Sequence, residues 1–108
     1  MPVVQTQTNT AGIVNTSVGR YLTDATAAAI PITVGFKPRH VRIVNVTSRD
    51  EMEWFEGMAA ASAVKTVAAG TRTLITTLGI TVSDSGFTIG LDTDVNVINE
   101  QISWIAQG

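Results

Sequence analysis

A chain of 108 residues is one domain's worth of sequence and can bury a single modest core. Only 15% of its residues are charged, against an average of about 25%, the formal net charge is −2, and cysteine is absent. That balance argues against nucleic acid as a partner, because its binders carry a strong excess of Lys and Arg, and it leaves no thiols for disulfides or metal. No apolar run approaches the ~20 residues that span a membrane, and no basic-then-apolar leader opens the chain.

Residues 1–26 are polar, rich in Thr, Asn, Gln and Val, with Arg20 and Asp24 as their charges. Thr and Val favour extended backbone, so this stretch reads as an arm with one or two short strands around Gly12–Val18. From Ala28 the pattern sharpens. Ala28, Ile30, Ile32, Val34 and Phe36 alternate with Ala29, Pro31, Thr33 and Gly35, the period of a strand with one buried face. Pro31 cannot donate to a ladder, which places this strand at an edge or bulge. Lys37-Pro38 turns the chain. His40–Thr47 is the clearest strand, with Val41 and Ile43 on one face and Arg42, Val44 and Val46 on the other.

Residues 48–69 carry two competing patterns. Ser48 and Glu51 have capping-box spacing, and Met52, Phe55, Met58 and Ala59 are spaced like a helix face. Gly57 interrupts that face, and Trp54-Phe55 favours extended backbone. The expectation is two strands, about 52–58 and 63–68, joined by Ala59-Ala60-Ala61-Ser62; a helix here would make the fold α+β. Thr71–Thr77 alternates as another strand. Ile80–Val82 and Phe87–Ile89 flank Ser83-Asp84-Ser85-Gly86, a hairpin turn by composition. Asp92-Thr93-Asp94 is a further turn, and Val95–Ile98 and Ile102–Ile105 read as strands about Asn99-Glu100. Seven to nine short strands in one domain predict an all-β fold, an antiparallel β-sandwich or jelly roll over residues 27–108, with the extended N-terminal arm over 1–26.

Catalytic chemistry finds little footing. The chain has one histidine, His40, beside Arg39 and Arg42, and no serine in a G-x-S-x-G elbow. Asp50, Glu51, Glu53 and Glu56 cluster beside Trp54, but a strand puts Glu53 on the face opposite Trp54, and a domain this short has little room for a glycosidase cleft. Asp92 and Asp94 supply two oxygen donors toward a Ca²⁺ site that needs 6–8, and a D-T-D run is a common turn former. The reading is therefore no enzyme and no cofactor. The basic group Lys37, Arg39, His40, Arg42 and Arg49 and the acidic stretches 50–56 and 92–94 suggest a polarised docking surface.

The run Gly35-Phe36-Lys37-Pro38-Arg39-His40-Val41-Arg42-Ile43-Val44-Asn45, with Glu53–Met58, Gly70–Thr73, Gly79–Val82, Gly86–Gly90, Val95-Asn96 and Trp104–Ala106, resembles small virion proteins of tailed bacteriophages over about residues 35–106. Capsid decoration (cement) proteins and tail-fibre tips share the terminal pattern of strand, Asn, turn and a strand with Trp and Ala. The resemblance implies a β-rich, oligomeric, non-enzymatic protein of the virion, made in the host cytoplasm and placed on the capsid surface. Its expected partners are copies of itself, as a trimer, and the major capsid protein. Partner contacts are expected from the arm through Val3, Val4, Ile13, Val14, Tyr21 and Leu22, and from the basic group through Lys37, Arg39 and Arg42. The other reading is a tail-fibre or receptor-binding domain that grips glycans through Trp54 or Trp104.

Overall fold

A computed structural model describes residues 15–108. These residues form eight strands: β1 (Thr16–Leu22), β2 (Ile30–Thr33), β3 (His40–Asn45), β4 (Asp50–Phe55), β5 (Ser62–Thr66), β6 (Arg72–Val82), β7 (Gly86–Ile89) and β8 (Gln101–Gln107). All strand pairs are antiparallel, in the order β1-β8-β3-β4-β5-β6-β7-β2. The all-β expectation holds. The strands make one continuous curled sheet, an open half-barrel.

The period-2 apolar pattern decides which face curls inward. Val41 and Ile43 of β3, Met52 and Trp54 of β4, Ala63 of β5, Ile80 of β6, Phe87 and Ile89 of β7, Ile102 and Ala106 of β8 and Ile30 of β2 are buried together. Phe36 and Trp104 pack against it and stay half-buried. The Trp104 indole meets Phe87 edge to face, with centroids 5.4 Å apart. It lies across β1 at Gly19, where an added Cβ would stand 2.5 Å from Cζ2, so only glycine admits the ring there.

Residues 48–58 form no helix. Ser48 is not a helix cap: its N–H, like that of Thr47, donates to Asn45 Oδ1 (3.0 Å each), and Arg49 sits at φ 64°. That tight turn returns the chain as β4, so the two-strand reading of this region is correct. Pro31 stands on an edge strand, as its missing N–H requires, since among the described residues β2 pairs only with β7. β6 bends between its halves: Ala63 pairs with Ile75 but Ser62 with Ile80, a bulge that includes Leu78 at φ 60°. Gly86 lets the Ile32 carbonyl approach closer than any Cβ would allow, which holds β2 against β7.

Two sequence expectations are corrected. Val95–Ile98 is no strand, because buried side chains satisfy this segment in place of a ladder. Asp92 Oδ1 accepts the N–H groups of Asp94 (2.9 Å) and Val95 (3.2 Å) and starts a turn. Asn45 Nδ2 donates to Val95 O (2.8 Å) and Asn96 Nδ2 to Ala28 O (2.9 Å), while Thr23 Oγ1 binds Val97 O. These bonds draw Val95, fully buried, down onto the core. The second correction concerns the arm. Its residues 16–22 form β1, paired along its whole length with β8 of the same sheet, so over this part the arm belongs to its own domain. The expectations at Val3, Val4, Ile13 and Val14 lie outside the described residues.

Candidate interaction surface

The convex face of the sheet carries the side chains that alternation turns away from the core. The strand registers line up one row across six strands: Val18, Ile105, Arg42, Glu53, Val64 and Leu74. Its ends are apolar and open to solvent, with Val18 71% and Leu74 64% exposed. A shallow hollow of about 190 Å³ lies at its centre between Arg42, Val44, Ser103 and Ile105.

The charges on this face neutralise one another. Arg39 Nε stands 3.3 Å from Glu56 Oε2, His40 Nε2 2.8 Å from Glu53 Oε2, and Arg42 donates to Glu51 Oε2 at 3.1 Å. The direct partner of His40 is Phe55 and that of Arg42 is Glu53, so each base reaches diagonally to the acid beyond, a distance long side chains span on a twisted sheet. The Arg39 contact is charge proximity without hydrogen-bond alignment, since its Nε has no aligned acceptor. His40 also stacks on Phe55 at 4.8 Å and engages Gln107 Oε1 through Nδ1 at 2.9 Å. The polarised surface expected from the sequence is therefore corrected: basic and acidic stretches interleave across β3 and β4 and cancel. Lys37 and Arg49 make no ion pair among the described residues. Being partly open to solvent, these pairs contribute little stability.

Acidic side chains of both clusters stand against cationic or titratable groups of the same chain. Both His40 ring nitrogens are taken by Gln107 and Glu53. Asp92 and Asp94 converge on the Lys65 ammonium, at 3.0 and 2.7 Å, and the bond to Asp94 is the main cause that holds the Lys65 pKa above its ordinary value, against the opposing effect of burial. The cation between those carboxylates is the protein's own, and no group of three or more potential ligands stands together among the described residues. Trp54 is buried and donates to Ala59 O at 3.3 Å, and Trp104 lies on the concave side under Gly19. Trp104 stays half-buried there. Of the partner-contact residues expected from the sequence, Tyr21 and Leu22 are exposed on β1, Leu22 by 70%; Arg39 and Arg42 join the charge ladder. The sequence reading missed Val64, Leu74 and Ile105, which stand in one row with Val18 of the arm. Their alternation is visible in the chain; which strands neighbour one another is not.

Comparison with protein-family models, curated proteins and solved structures finds no match for this chain.

Proposed function

We propose that this protein is a capsid decoration (cement) protein of a tailed bacteriophage, which docks through its convex face on the major capsid protein and stabilises the shell. The observation that carries the reading is the Val18–Leu74 row: apolar side chains open to solvent at both ends, with Arg42 and Glu53 between them and Arg42 neutralised by Glu51. A shallow apolar face with paired charges suits a broad protein surface better than a small molecule. The resemblance over residues 35–106 supplies the capsid. A ligand that binds only the assembled shell stabilises it by mass action, and several copies held together as a homo-oligomer gain by avidity. Catalysis has no part in this reading.

The test is co-sedimentation of the purified protein with shells of the phage that encodes it. The expected result is saturable binding at a fixed copy number and shells that resist heat longer. Leu74→Glu should abolish that binding while the protein stays folded. Binding to host-surface glycans or to tails, with none to shells, would overturn the reading.

A further inference from the structure

Among the described residues the curled sheet does not close and ends in two edge strands, which differ. β2 is four residues long and carries Pro31, which cannot donate outward. The outer half of β6, which also lacks a second neighbour among the described residues, ends in the bulge at Leu78. These are the usual ways of blunting an edge. β1 has none of them. It is seven regular residues with no proline and a single charge, Arg20. It also carries the two most exposed of the large apolar side chains among the described residues, Val18 at 71% and Leu22 at 70%.

The backbone of β1 fixes what could pair there. Thr23 N–H donates to Glu100 O (3.0 Å) and Gly108 N–H to Asn15 O (2.8 Å), which places the odd residues of β1 in the hydrogen-bonded pairs with β8. The amides and carbonyls of Thr16, Val18, Arg20 and Leu22 therefore point outward. A second β1 laid antiparallel with Gly19 opposite Gly19 joins Thr16 to Leu22 and Val18 to Arg20, and each of the four outward residues then exchanges both its bonds. A shift of two residues in either direction leaves one of the four without a partner within the strand. On the concave side this register puts the two glycines at the axis. Trp104 already lies over its own Gly19, so the half-buried indoles of both copies would meet above the glycine pair.

We propose that β1 is a homodimerisation edge, in which two copies pair their β1 strands antiparallel about a two-fold axis at Gly19 and merge their sheets into one. The occupant is a second copy because the strand is complementary to itself: all outward backbone groups are satisfied in one register, no like charges stand directly opposite, and one half-buried aromatic covers its twin. The interface is isologous and closes at two subunits. It replaces the trimer expected from the sequence with a dimer, and does not depend on what the convex face binds.

Sedimentation equilibrium across a concentration series, with tryptophan emission recorded in parallel, tests it. The parent should pass from 11.4 kDa to twice that mass. Its emission should shift to the blue as Trp104 is covered, since Trp54 is buried in either state. Val18→Pro removes an outward N–H and leaves the β8 ladder intact, so it should remain folded by circular dichroism and raise the dimer dissociation constant by about tenfold or more, the two-fold axis removing bonds in pairs. Val18→Lys, which keeps every backbone bond, should weaken the dimer as well. Ser17→Pro loses an inward N–H and should damage the fold itself. A parent that stays at 11.4 kDa throughout would overturn the proposal, as would a dimer that Val18→Pro and Val18→Lys leave unchanged.

Discussion

Replacing Asn45 with alanine should be among the most damaging single changes in this protein. The side chain is fully buried and all its polar capacity is used. It donates to Val95 O (2.8 Å) and to Glu100 Oε1 (2.9 Å), and accepts from Thr47 and Ser48 N–H (3.0 Å each). It thereby fixes the β3–β4 turn and holds the Val95 segment on the core. Four bonds at a net ~1 kcal/mol each give a loss of about 3–4 kcal/mol, much of a small domain's stability. For a domain near 100 residues that lowers the melting temperature by on the order of 15–25 °C. Asn45→Asp sharpens the test. It keeps the two acceptor bonds to the turn but sets a carboxylate against Val95 O and Glu100 Oε1. Burial and that neighbour favour the protonated form in the folded state, so stability lost at neutral pH should return as pH falls. Melting of parent, Asn45→Ala and Asn45→Asp at pH 7 and in mild acid measures both effects. If Asn45→Ala melts within a degree or two of the parent, or Asn45→Asp tracks Asn45→Ala at both pH values, Asn45 does not organise this region.

Lys65→Met removes the cation between Asp92, whose side chain is 8% exposed, and Asp94; it should cost about 1–3 kcal/mol in urea unfolding, discounted for the exposure of Asp94. Because the folded pKa of Lys65 is raised, its contribution is complete below the unfolded lysine value of 10.5 and is lost as pH rises through the folded one; the gap between parent and Lys65→Met should narrow in that alkaline range. Trp54→Ala should cost about 3–5 kcal/mol by denaturant melt, and Trp104→Ala less in the monomer, since Trp104 is only half-buried; equal losses would contradict the packing described. Gly19→Val should expel the indole of Trp104 from β1 and change its near-ultraviolet dichroism, with the signal of Trp54 retained.

Much of the fold is legible in local pattern. Alternation in His40–Asn45 gives both the strand and its buried face, Pro31 gives an edge, and Ser83–Gly86 gives a hairpin. What is not legible depends on which strand lies beside which. The low-charge run 16–22 reads as an extended segment, and nothing within it names β8 as its neighbour; hence an arm was expected where an edge strand stands. The opposed charges of 37–42 and 50–56 could have been matched in advance, because a tight turn at 46–49 makes their strands antiparallel neighbours. The capture of Asp92 and Asp94 by Lys65 had no such signal, since that pairing depends on the segment after β7 folding back over the concave face.

The place of β8 between β1 and β3 bears on how the chain reaches its fold. β3 and β4 are neighbours in sequence and can pair as soon as both have left the ribosome, but β1 must wait for a strand made some 80 residues later. Until then β1 has no partner within the sheet and one side of β3 is also open, with Val41 and Ile43 lacking the cover of β8. Closing such distant pairs is slow, and unpaired edges invite the wrong neighbour in the meantime. High expression should therefore favour inclusion bodies even where the finished fold is stable, and a chain truncated before Gln101 should accumulate as aggregate rather than as a smaller folded sheet.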